Sequence, residues 1–225
     1  MKQGFCVCLL FAWVAPSGAQ IARDVNRDYA TPQGRTRIAK SLEDRDRSDR
    51  LKLPQIVSTL GILPGSTVAD VGTGVGMMLE YLSEAVGPAG RVIAEDIHQD
   101  FLDKARMRAK SEKLRNIGFV LGTERSPKLP ERQIDLALAL DVYHHFDYPG
   151  DMLGHIGRSL KPGGRVAIVD FYRHRRGANG EDMSKHIRAD KDEVLREIQG
   201  FGYEIISQRD HGANQYILIF KRARQ

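Results

Sequence analysis

Short apolar runs alternate along this chain with stretches whose apolar residues recur at helical spacing. Thr67 to Val71 is one such run and reads as a buried strand. Three glycines follow at alternate positions, Gly72, Gly74 and Gly76. Met77, Met78, Leu79, Tyr81, Leu82, Ala85 and Val86 then predict a helix, stopped by Gly87-Pro88. Arg91 to Ala94 predicts a second strand ending in Glu95-Asp96. Phe101, Leu102 and Ala105 line one helix face, and Lys104, Arg106, Arg108 and Lys110 the other. Ile117 to Leu121 predicts a third strand. Ile134 to Leu140 is almost uninterrupted, the pattern of a central parallel strand covered on both faces. A helix over Asp151 to Leu160, a turn at Pro162-Gly163-Gly164 and a strand from Arg165 to Phe171 follow. Asp190 and Glu193 form a capping-box pair ahead of Val194, Leu195, Ile198 and Phe201. Tyr203 to Ser207 and Gln215 to Phe220 predict two closing strands, with Gly212 and Asn214 in their turn.

The N-terminal part breaks this rhythm. Lys2, the apolar run Phe5 to Val14, Pro16 and Ser17-Gly18-Ala19 form a secretory signal pattern with its cut after Ala19. The run is too short to span a bilayer, which takes about 20 apolar residues. The expectation is an exported chain with no stable membrane span once the signal is removed. Cys6, Cys8 and Trp13 all lie in that segment, so a chain starting at Gln20 has no disulfide and no thiolate metal site. Gln20 to about Gly34 reads as a loose polar arm containing Pro32. Arg35 to Lys52 carries alternating charges and reads as a solvated helix face with intrahelical pairs. Pro54 suits the start of another helix, with Ile56, Val57 and Leu60 on its apolar side. Tyr172 to Gly177 is basic and opens an irregular polar insertion lasting to about Ala189.

The chain has 225 residues, 41% hydrophobic and 28% charged, which fits one globular domain. Its net charge of +5 does not by itself point to nucleic acid. The chemistry starts at the glycines. Strand, glycine turn and helix together make the layout of a nucleotide-cofactor site, because glycine lets backbone approach a ligand closely and a helix start presents unpaired N–H groups. Asp96 follows Gly76 by twenty positions, where an acid grips ribose hydroxyls. Glu95 takes that role if the strand shifts by one residue, since period-two alternation turns only one of the two toward a pocket.

Four motifs occur in order: Asp70-Val71-Gly72-Thr73-Gly74-Val75-Gly76, Ala94-Glu95-Asp96-Ile97, Asp135 to Asp141 with Tyr143-His144-His145-Phe146, and Leu160-Lys161-Pro162-Gly163-Gly164. With them the chain resembles class I S-adenosylmethionine-dependent methyltransferases over roughly Leu53 to Arg222. The resemblance implies a doubly wound Rossmann-like α/β fold: a seven-stranded sheet, mostly parallel with an antiparallel last strand, and helices on both faces. It implies S-adenosylmethionine as cofactor and a small-molecule acceptor. It places Asp70, Gly72, Thr73, Gly74, Gly76, Asp96, Ile97 and Asp141 around the cofactor, with the adenine contact open between Thr123 and Glu124, and with Asp70 open between the cofactor head and a structural role bonding the turn's own N–H groups. It also makes the charged segment up to Lys52 a lid. Tyr143, His144 and His145 fall at the end of the fourth strand, as acceptor-side residues able to take a proton. Binding of a metal by His144 and His145 with Asp141 is not expected, because adjacent histidines point apart on most backbones. A nicotinamide site is disfavoured, since its G-x-G-x-x-G spacing differs from Gly72, Gly74 and Gly76. A binding module without catalysis is the other alternative, because export sits awkwardly with a cofactor made in the cytoplasm.

Overall fold

A computed structural model describes residues 21–44, 46–176 and 182–223. The signal-segment expectation, with Cys6, Cys8 and Trp13, falls outside the described residues. Among the described helices none is long and apolar enough to cross a membrane.

Seven strands form one sheet: β1 (Thr67–Val71), β2 (Arg91–Asp96), β3 (Ile117–Leu121), β4 (Ile134–Leu140), β5 (Leu160–Phe171), β6 (Tyr203–His211) and β7 (Gln215–Arg222). Their spatial order is β3-β2-β1-β4-β5-β7-β6. Strands β1 to β5 pair in parallel, and β7 runs antiparallel to both β5 and β6. Strand order reverses beside β1, so the ends of β1 and β4 border the crevice where ligands of open α/β sheets bind.

The continuous apolar runs have a simple cause: β1 and β4 are buried on both faces. Val68, Leu136 and Leu138 pack against α3 (Leu53–Leu60), α4 (Leu79–Val86) and α5 (Gln99–Ser111). Ala69, Ala137 and Ala139 pack on the opposite side against α6 (Pro149–Ser159) and α7 (Lys191–Gly200). The capping box of Asp190 and Glu193 starts α7 as its sequence indicates.

The N-terminal arm departs from its sequence reading. Pro32 sits in the first turn of a helix, α1 (Pro32–Leu42), and the Thr31 hydroxyl accepts from the Gly34 N–H at 3.0 Å. A separate short helix, α2 (Arg47–Leu51), follows. The charges of this stretch pair mainly across the fold: Arg35 with Asp100, Glu43 with Lys104 and Arg47 with Asp141. Ala39 of α1 is buried with Val75 and Phe101, and Tyr29, Ile38 and Leu42 pack against them. The segment is therefore docked over the strand ends.

Leu138 is fully buried in the central strand, whereas Leu63 is 72% exposed. Leu138→Ala is expected to cost about 2–5 kcal/mol of unfolding free energy. Leu63→Ala is expected to stay within about 0.5 kcal/mol. Urea titrations measure both, and equal losses would contradict the assigned core.

Candidate active site

The glycine turn and the end of β2 hold three carboxylates out of water. Asp70, Glu95 and Asp96 are 3%, 1% and 6% exposed. The Thr73 hydroxyl donates to Asp70 Oδ2 at 2.6 Å. The Gly72 N–H donates to Glu95 Oε2 at 3.3 Å. Asp96 Oδ2 accepts from the Gly74 N–H and its Oδ1 from the His98 N–H, each at 2.9 Å. Both neighbouring acids reach the turn, where strict alternation allows one. The strand ends at Asp96, and the Thr73 N–H bonded to the Glu95 carbonyl at 2.8 Å curls the turn back over that end.

Two glycines make room for this arrangement. Gly72 has φ 71°, and a Cβ there would lie 2.4 Å from Val142 Cγ2. A Cβ on Gly122 would lie 1.8 Å from Glu95 Oε1. That oxygen is buried and has no hydrogen-bond partner.

Burial raises the Asp70 and Asp96 carboxyls to about 6, against the bonds from Thr73 and from the turn amides. Burial, and then repulsion from Asp96, hold Glu95 well above the usual range. None of the three is ion-paired with a lysine or arginine among the described residues. An unfolded chain ionises these aspartates near 3.8, so the folded chain holds more protons between about pH 4 and 6. Stability contributed by these groups is therefore present at the acid end and falls as pH rises through that window. Carboxylates shifted in this way cluster at functional sites.

The arm supplies the other wall. Leu42 Cδ1 lies 3.2 Å from where a Gly74 Cβ would stand. Arg47 pairs closely with Asp141, which follows β4 with φ 55°. The Arg47 Nε is buried without a partner. Burial, followed by Asp141 and Asp96, raises the Tyr29 hydroxyl, so this ring lies among those charges. It stacks 6.0 Å from His98. Tyr29 and Arg47 were not legible as site residues, because the partners that define them lie far along the chain.

Beyond the end of β2, Ile97 and Leu121 are 38% and 43% exposed, an apolar pair beside the acids. Thr123 Oγ1 is used within a local turn, on the Ser126 carbonyl at 3.2 Å and the Ser126 N–H at 3.1 Å. Glu124 is exposed. Gly76 lies against α4 and α5, where a Cβ would meet Leu79 and Ala105, and serves packing.

Tyr143, His144 and His145 form a 3-10 turn after β4. Tyr143 corrects the sequence expectation. It is fully buried on the α6–α7 side, and its hydroxyl donates to Glu197 Oε2 at 3.1 Å. The turn sends its neighbours the other way. His144 Nδ1 faces both Asp170 oxygens at 2.8 and 3.0 Å, and its Nε2 lies 3.2 Å from His186 Nε2. His145 Nδ1 lies 2.8 Å from Asn26 Oδ1. Burial pulls the His144 pKa down, but Asp170 outweighs it and the net shift is upward. Burial keeps His145 well below its ordinary value and takes His186 to about 4. His186 was missed because it stands in a polar stretch with no motif. Its only sequence signal is the apolar pair around it, Met183 and Ile187, which are buried and pin the segment. The basic run after β5 stays outside this cluster: His174 is exposed and pairs with Asp190 at 2.6 Å.

The site thus has an acidic, partly unsatisfied floor, an apolar flank, one buried arginine edge and a histidine cluster. The donor set fits S-adenosylmethionine. Each Asp96 oxygen keeps a lone pair for a ribose hydroxyl after taking its backbone N–H. The orphan Glu95 oxygen accepts from a donor, and Arg47 Nε donates to a carboxylate.

Comparison with known proteins agrees with this geometry. The family model described as a methyltransferase domain matches residues 69–168. An uncharacterised 37.1 kDa protein in transposon TN4556 of Streptomyces fradiae is 34% identical over 113 residues, 50% of this chain and 32% of that protein. Demethylmenaquinone methyltransferase of Lactococcus lactis is 33% identical over 112 residues, 49% of this chain and 44% of the enzyme. The chain therefore spans less than half the length of these curated relatives. The crystal structure of a SAM-dependent methyltransferase from Aquifex aeolicus superposes with TM-score 0.76 at 25% identity, covering 81% of this chain and 95% of that one. Sheet order, glycine turn, strand-end acids and these matches converge: residues 69–168 match a methyltransferase domain, set in a sheet with the fold of a SAM-dependent methyltransferase.

Proposed function

We propose that this chain transfers the methyl group of S-adenosylmethionine to a small-molecule acceptor held beneath the N-terminal arm. The observation that carries this reading is the trio of buried, cation-free acids at the glycine turn, set beside a histidine cluster at the next strand end. S-adenosylmethionine supplies a methyl group already activated on a sulfonium. Asp96 accepts the two ribose hydroxyls, and Ile97 with Leu121 covers the adenine. Arg47 Nε receives the carboxylate of the amino-acid head. Asp70 acts indirectly, by fixing Thr73 and the curvature of the turn. His144 and His145 meet the acceptor, and the arm keeps water away from it. The chain's contribution is alignment and exclusion of water more than bond-making. A compact acceptor suits a site roofed by Tyr29, Leu42 and Arg47. The family's cofactor site alone would serve a non-catalytic module, but such a module has no use for histidines held by Asp170 and Asn26 at the acceptor side.

Asp96→Ala removes both ribose bonds and is expected to weaken S-adenosylhomocysteine binding by about 2–4 kcal/mol, read by calorimetry. Unchanged affinity in the folded variant would contradict the assignment. Arg47→Ala is expected to cost about 1.5–3 kcal/mol of the same affinity through the lost charge-assisted bond. On an acceptor found by screening for S-adenosylhomocysteine release, the His144→Gln, His145→Gln double variant is expected to lose about 10²–10⁴ in turnover while cofactor affinity holds. Full turnover would remove the histidines from the reaction.

A further inference from the structure

We propose that His144, His145 and His186 form a binding site for one divalent transition-metal ion of the zinc type. The argument begins with tautomers. Asp170 offers only acceptors to His144 Nδ1, at 2.8 and 3.0 Å, so that nitrogen carries the hydrogen. Asn26 Nδ2 donates to the His145 carbonyl at 2.9 Å and to Asp147 Oδ2 at 3.2 Å, which identifies its Oδ1 as the atom facing His145. Oδ1 accepts from His145 Nδ1 at 2.8 Å, so this nitrogen carries a hydrogen too. In the neutral rings both Nε2 atoms are then left with a lone pair.

These rings converge where adjacent histidines ordinarily diverge. The 3-10 turn brings the His144 and His145 ring centres to 4.1 Å, and His186 closes the third side with its ring centre 4.8 Å from His144 and 5.2 Å from His145. One ligand nitrogen from each lies within 4.8 Å of the other two. The two nitrogens nearest each other, on His144 and His186, are 3.2 Å apart. A tetrahedral ion with Zn–N bonds of about 2.0–2.1 Å holds its nitrogen ligands about 3.3–3.4 Å apart. Three histidines with one open position is the ligand count of an accessible zinc site.

The surroundings support a cation. Asp170 behind His144 and Asn26 behind His145 are outer partners of the kind that orient metal-bound imidazoles. Asp170 is 1% exposed, and no lysine or arginine pairs with it among the described residues. Asp141 adds a second carboxylate on the same side, offset by Arg47. The Tyr29 hydroxyl donates to His145 Nε2 at 3.4 Å, a long bond that an ion would displace. In the metal-loaded protein the open position would seat a water or an acceptor heteroatom next to the methyl-donor turn. The site rests on side-chain geometry alone and stands whether or not the chain transfers methyl groups.

The test uses protein stripped with a chelator and titrated with Co²⁺ and Zn²⁺ in the absence of cofactor. Expected is one ion per chain, with the intense visible absorption of low-coordinate Co²⁺ displaced by Zn²⁺. His186→Ala should weaken binding at least about 100-fold, and Asn26→Ala about 10–100-fold as an outer partner. His186 is half-covered and the most exposed of the three histidines, so its variant should keep the wild-type unfolding transition, which is recorded alongside. His174→Ala and Asp96→Ala should bind metal as wild type does, and Asp96→Ala loses the cofactor alone. No stoichiometric binding by the wild type, or binding unchanged in a folded His186→Ala, would overturn the proposal. The 3.2 Å approach would then be a shared proton between two histidines.

Discussion

Everything at the working end of this molecule depends on burying carboxylates against backbone amides. The turn after β1 lends Gly72 and Gly74 N–H groups to Glu95 and Asp96. Such bonds hold the acids in place without neutralising them. No cation of the chain pairs with them among the described residues, and burial pushes them up the pH scale. Folding alone gains nothing from that arrangement, since an apolar strand end would be cheaper. It makes sense as a surface prepared for hydroxyls and an ammonium brought by a ligand.

The rest of the fold serves this constraint. Parallel strands covered on both sides fix where β1, β2 and β4 end to within one residue. Gly122 is small so that Glu95 fits, and Gly72 is small so that the loop after β4 can close in. That loop then turns His144 and His145 toward His186, while Tyr143 anchors it in the opposite layer. The arm completes the enclosure through Arg47 and Asp141, a mostly buried pair that ties residue 47 to the end of the fourth strand. The glycine turn and the histidine cluster thus share one wall, as the proposed alignment-driven transfer requires.

The parallel part of the sheet was legible because its physics is local. A strand buried on both faces must be apolar throughout, and β1, β3 and β4 have the ends that their runs indicate. The glycine turn and Asp96 were legible for a similar reason, since only certain residues meet those backbone demands. The arm was not, because its charges are satisfied by Asp100, Lys104 and Asp141, and intrahelical pairing is the better guess when partners are unknown. Tyr143 and the histidines share one tripeptide, and the direction each side chain takes depends on a 3-10 turn that residue types do not specify. His186 comes from a stretch whose polarity hides its anchor residues, so only the folded chain brings it to His144. The closing strands β6 and β7 run beyond their apolar cores, because an edge hairpin lengthens through backbone pairing with polar side chains outward.

The central claim is that cation-free buried acids form the cofactor floor, and proton linkage tests it most directly. Asp70 and Asp96 ionise near pH 6 in the free protein. Accepting hydroxyls favours the ionised form, so binding releases protons below that pH and affinity rises as the acids ionise. Calorimetric affinity for S-adenosylhomocysteine between pH 5 and 8 is predicted to level off above about 7. Below about 6 it should fall about tenfold per pH unit for each carboxylate that must ionise. Affinity independent of pH across that range would contradict the account.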